Sequence, residues 1–96
     1  MTREKVKATL PEDFDPRMAK AAQVATTYAT DELGWARAAA VAAIADPFYD
    51  GVYLVKLEVG ETENPDHDFR TIALLVDDRA VTDEGEDGLW YDNAID

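Results

Sequence analysis

Residues 33–45 read LGWARAAAVAAIA, and how this stretch folds decides the architecture of the whole chain. Its one charge between Glu32 and Asp46 is Arg37. Apolar on nearly every side, it reads as a helix, Leu33–Ala45, that stops at Asp46-Pro47 because the residue before a proline is pushed out of helical geometry. A helix apolar on all sides is normally buried on all sides, which is difficult to arrange in 96 residues. Two placements follow. The helix packs centrally against a sheet and a first helix, or one face of it (Trp35, Ala38, Ala39, Ala42) forms a homodimer or partner contact.

Upstream, Asp15-Pro16 is a helix start: a carboxylate able to cap, then a proline whose missing N–H costs nothing at the first helical position. Met18, Ala21, Ala22, Ala25, Tyr28 and Ala29 follow at helical spacing, with Arg17, Lys20, Gln23, Thr27 and Thr30 on the opposite face. Thr30-Asp31-Glu32-Leu33-Gly34 interrupts the pattern, so the preferred reading is two helices, with Asp31 capping the second. The alternative is one long helix carrying Gly34 at a cost of about 1 kcal/mol. Before these, residues 4–10 (EKVKATL) alternate polar and apolar, the period of a half-buried strand.

Downstream of Pro47 the period is two. Tyr53, Val55, Leu57 and Val59 share one face of a strand over Val52–Val59, and Leu54, Lys56 and Glu58 share the other. The polar run 60–67 is a loop, and Phe69–Val76 (FRTIALLV) follows as an interior strand, paired antiparallel with the first. Leu89-Trp90-Tyr91 offers one further short strand. The expected fold is α+β in the order β-α-α-β-β-(β): two helices on one face of a small, mainly antiparallel sheet of three to four strands. Residues 1–96 form a single domain, with 77–88 an acidic loop and 92–96 a flexible tail.

Composition narrows the function. Cysteine and serine are absent, removing disulfides, Cys-based metal sites and a serine nucleophile. MTREKVKATL has no apolar stretch of a secretory signal and no run approaches the roughly 20 residues of a membrane span, so the expected compartment is the cytoplasm. The chain has 21 acids against 9 bases, a net charge of −12. That sign opposes direct binding to nucleic acid or an anionic membrane. The acids are also segregated: residues 1–57 hold 8 acids and 7 bases, whereas 58–96 hold 13 acids with Arg70 and Arg79. Adaptation to a salty cytoplasm would spread the acids over the whole surface instead.

No constellation carries chemistry. His67, in Pro65-Asp66-His67-Asp68, is the sole histidine and lacks companions for a metal shell, so it reads as a solvated loop residue. A calcium loop from Asp83 needs oxygen ligands where Gly85 and Ala94 stand. The five glycines are scattered, and no cofactor site, metal site or catalytic group is expected. The expectation is a non-enzymatic interaction protein. Its contact residues would be Glu58, Glu61 and Glu63, then Asp66, Asp68, Asp77 and Asp78, then Asp83, Glu84, Glu86 and Asp87, with Trp90, Tyr91 and Asp92 adding aromatics among acids. Phe48, Tyr49 and Tyr53 offer a second aromatic patch. The partner is a basic protein: a nucleic-acid-binding defence protein blocked by a phage-type mimic, or a cationic toxin covered by an immunity protein. The competing expectation is a small structural or oligomeric component of a halophilic or GC-rich organism, whose acids serve solubility.

Overall fold

The computed structural model describes residues 6–46, 49–62, 70–77, 79–85 and 94–95. In chain order they form β1 (Val6–Lys7), a 3₁₀ turn (Pro11–Asp13), α1 (Pro16–Asp31), β2 (Arg37–Ala45), β3 (Tyr53–Gly60), β4 (Arg70–Val76), β5 (Val81–Gly85) and β6 (Ala94–Ile95). Strands β2-β3-β4-β5 make one antiparallel sheet in that order. β1 and β6 pair in parallel, Val6 with Ala94 and Lys7 with Ile95. The expected second helix does not exist. The fold has one helix and a four-stranded antiparallel sheet, α-β-β-β-β, rather than two helices in a β-α-α-β-β order.

α1 begins where the sequence places it. Asp15 is extended, its carboxylate accepts the Met18 N–H at 2.8 Å, and Pro16 opens the first turn. The helix ends at Asp31, and three residues on Gly34 turns the chain with a φ of +82°, a left-handed conformation that suits a residue without Cβ. Beyond it the Trp35 N–H reaches back to the Ala29 carbonyl at 3.1 Å, satisfying a terminal acceptor. A Cβ at Gly34 would meet nothing within 4 Å, so its role lies in the backbone alone. Gly34→Ala is therefore expected to cost about 1–2 kcal/mol, the left-handed penalty, read as a lower urea midpoint with unchanged slope.

From Ala36, whose N–H donates to the Gly60 carbonyl at 3.0 Å, the chain is a strand. β2 pairs with β3 from Arg37↔Gly60 to Ala45↔Tyr53. The pairing slips once, between Ala40 and Ala42, leaving Val41 as a bulge. Before the bulge Ala38 and Ala40 face the helix; after it Ala43 does, while Ala42 and Ile44 face the other way. This is why the segment was readable as a helix. Alanine marks no face, and the bulge erases the alternation that would have marked a strand. What decides the matter is non-local: β3 would otherwise leave a row of backbone donors and acceptors unpaired.

Two small cores result. Between α1 and the sheet, Met18, Ala21, Ala22, Ala25 and Ala29 pack on Ala43, Val55, Leu57, Val59, Ile72, Leu74 and Val76, with Phe14, Tyr28, Trp35 and Val81 at the margins. Alanine lies on both sides of this contact, so helix and sheet approach closely. On the opposite face Ala42, Ile44, Leu54 and Ala73 pack with Ala8. Ala8 is held there by Thr9, which exchanges two hydrogen bonds with Ala43 at 2.8 and 3.0 Å. Tyr53, Val55, Leu57 and Val59 share the helix-side face as expected, and β4 is an interior strand flanked by β3 and β5. Within the stretch expected as an acidic loop, residues 81–85 form β5, and Ala94–Ile95 of the expected tail pairs with β1. No helix among the described residues is long and apolar enough to cross a membrane.

Candidate functional site

The meander keeps chain order in space, so the nearly neutral and the acid-rich parts of the chain meet within β3. α1 and β2 come from the nearly neutral first part of the chain, which has 8 acids and 7 bases up to residue 57. β4 and β5 come from the part with 13 acids and two arginines. Of these acids Glu58 lies on β3, Glu61 just beyond it, Asp77 at the β4–β5 turn, and Asp83 and Glu84 on β5.

That turn is built on Asp77. Its Oδ1 accepts the N–H groups of Arg79 and Ala80, each at 2.8 Å, and its own N–H donates to the Ala80 carbonyl at 3.1 Å. The Ala80 amide, then the Arg79 amide, hold the Asp77 carboxyl below the usual aspartate range. Asp77 is thus a turn-forming residue. The sign follows from linkage. A carboxyl with a depressed folded pKa stabilises the fold fully above its unfolded value, and the contribution disappears as pH falls through the lower folded value. Asp77→Asn should remove that acid-side component and speed exchange of the Arg79 and Ala80 amides at neutral pH, as read by NMR. Unchanged exchange would show that the carboxylate does not hold the turn.

Of the other expected contact residues, Glu58 is half-buried on β3, in register between Ala39 and Thr71 on the face away from the helix. Glu61 is exposed just beyond β3. Asp83 and Glu84 lie on β5, paired with Leu75 and Leu74. Glu63, Asp66, Asp68, Asp78, Glu86, Asp87, Trp90, Tyr91 and Asp92 lie outside the described residues, as do His67 and Phe48. The second aromatic patch does not form as expected: Tyr49 is 67% exposed, whereas Tyr53 is buried in the helix-side core.

The oligomer face expected on a second helix is likewise corrected. Ala38, Ala39 and Ala42 lie on a strand, so they divide between its two sides. Ala38 packs toward α1, Ala39 is exposed on the other face, and Ala42 is buried in the smaller core. Trp35 precedes the strand, packs at the margin of the helix-side core, and carries the Arg70 guanidinium 5.7 Å from its ring centroid. One of the two cations of the acidic part is thereby placed over an aromatic ring.

The structure adds a feature that the sequence reading missed. An open groove of about 560 Å³ runs between the outer side of α1 and the β4–β5 turn. Val24, Tyr28 and Val81 give it apolar surface; Lys20, Asp31, Glu32 and Arg79 supply charge around it. The available signal was Val24, an apolar residue between Gln23 and Thr27 on the side of the helix read as polar. Among the described residues no group of three His, Cys, Asp or Glu is placed to hold a metal ion. No protein-family model matches this chain, and neither the curated proteins nor the solved structures give a significant match.

Proposed function

We propose that this chain is a non-enzymatic interaction protein whose β5 side binds a basic protein surface in the cytoplasm. The observation that supports this reading is the segregation of charge along the chain: residues 58–96 hold 13 acids against two arginines, and two of those acids, Asp83 and Glu84, belong to β5 at one edge of the sheet. An acidic segment of this kind steers a cationic partner and occupies positions that phosphates would otherwise take. The partner class is a basic, nucleic-acid-binding protein or a cationic toxin, and the action is steric and electrostatic blockade.

The test is the sign of a salt effect. The Debye length falls from about 10 Å at 0.1 M to about 3 Å at 1 M, so attraction to a basic partner weakens as salt rises. A partner captured in dilute buffer should be released by salt, and changing Asp83, Glu84, Glu86 and Asp87 to Asn and Gln should slow its association. The free protein should meanwhile melt cooperatively in dilute buffer, with a modest upward shift in concentrated KCl. A chain unfolded at low salt and folded only at high salt would mark the acids as a halophilic adaptation and overturn the proposal.

A further inference from the structure

We propose that α1 is the contact face of a symmetric homodimer, in which the outer stripes of two copies of this chain pack antiparallel. The inference does not depend on the basic-partner reading. Lys20, Val24, Thr27 and Asp31 recur at intervals of four, three and four residues, the spacing of the seam in a two-stranded helix pair. They lie on the side of α1 away from the sheet. Lys20, Thr27 and Asp31 are exposed and Val24 is half-buried, while Met18, Ala21, Ala22, Ala25 and Ala29 fill the core.

The stripe complements itself in one direction only. With two copies antiparallel about a twofold axis level with Ala25 and Thr26, Lys20 faces the second copy's Asp31, and Val24 faces the second copy's Thr27. Symmetry repeats each pair, so both ends of the contact join a cation to a carboxylate. In a parallel pair Lys20 would face Lys20 and Asp31 would face Asp31, and like charges at facing positions repel.

Charge selects a second copy as the occupant. Among the described residues, the charged ones lining the groove beside this stripe are Lys20, Asp31, Glu32 and Arg79, which cancel although the whole chain carries −12. A basic partner would meet Lys20 and Arg79 there, and an acidic one would meet Asp31 and Glu32. A second copy brings both signs in the order that the stripe requires. The groove, about 560 Å³ with Val24, Tyr28 and Val81 in its lining, admits a row of facing side chains. One helix face makes a small interface, so the dimer assembles and dissociates with concentration.

The test follows the full chain by sedimentation velocity from about 10 μM to about 1 mM, in about 0.15 M salt. The mass should climb from monomer toward dimer across that range. Lys20→Glu and Asp31→Lys should each weaken dimerisation about tenfold or more, since symmetry places every change in two pairs. Asp31→Lys is the sharper arm. It makes the chain less negative by two charges, so general repulsion between copies predicts a stronger dimer, whereas the seam predicts a weaker one. An equimolar mixture of the two variants should regain a dimer, now mixed, because opposite charges then face each other at both ends. Both side chains are exposed, so circular dichroism of the dilute variants should find them folded. A parental chain still monomeric at the highest concentration, a dimer unmoved by either change or strengthened by Asp31→Lys, or a mixture that stays monomeric would overturn the proposal.

Discussion

Ala25→Glu is expected to leave no cooperatively folded protein at room temperature. Ala25 has no exposed surface; it lies in mid-helix with Ala21 and Ala29, also fully buried, against Val55, Leu57 and Leu74 of the sheet. A glutamate there meets two difficulties. It has no room, because the helix meets the sheet mainly through alanines. It also has no partner, because no polar or charged side chain is buried among the described residues. An uncompensated buried charge costs several kcal/mol, against a total stability of about 5–15 kcal/mol for a domain of ordinary size. Circular dichroism and a urea titration would read the result as loss of the transition. Gln23→Glu, two residues away on the exposed side, is the control and should change stability by less than about 0.5 kcal/mol. A cooperative Ala25→Glu protein with the parental midpoint would mean that α1 does not lie on the sheet in this way.

Leu57→Ala should be the most damaging truncation. Leu57 is fully buried at the middle of β3, the strand with the longest paired length, between Ala40 of β2 and Ile72 of β4. Small neighbours cannot close over the missing methyl groups without moving the helix, so a cavity remains. Leucine-to-alanine changes of this kind cost about 2–5 kcal/mol, a large fraction of the total. The expected signature is a lower urea midpoint at constant slope. Leu33→Ala is the contrasting case, since Leu33 is 38% exposed beyond the helix end and should shift stability by less than about 0.5 kcal/mol. A Leu57→Ala loss as small as that of Leu33→Ala would place the centre of the core elsewhere.

The elements readable from the sequence are those whose signals are local. Asp15-Pro16 fixes the start of α1 through a cap and a preset φ. Alternation from Tyr53 to Val59 fixes both faces of β3, because large and polar residues label them. Residues 37–45 have no such labels: alanine fits either period, and the Val41 bulge inverts the alternation halfway along. Their strand state comes from pairing with β3, which depends on residues up to 23 positions away, Arg37 with Gly60. β5 was hidden for a related reason. VTDEG has the composition of a turn, yet FRTIALLV was readable as interior, and an interior strand requires a neighbour on each side. The second neighbour of β4 had to come from somewhere, and the acidic segment supplies it.

For the candidate site, the segregation of acids was legible by counting charges along the chain. That Asp83 and Glu84 belong to an edge strand was not, because that depends on β5 pairing with β4. The groove beside α1 was not legible either, since it needs the β4–β5 turn built on Asp77 to bring Arg79 and Val81 near Val24.

The ordering of the strands also bears on how the chain acquires its shape. Each strand from β2 to β5 joins the one made just before it, so every step of sheet growth closes a short segment of chain and carries a modest entropic cost. Folding should therefore be faster than for a β-sandwich of similar size, whose pairings join distant segments. β1 and β6 are the exception: Val6 meets Ala94 and Lys7 meets Ile95 across almost the full length of the chain. That junction is the slowest to be found and, with two pairs of residues, the first to be lost. In native-state exchange its amides should open well before those of β3, while the meander stays closed.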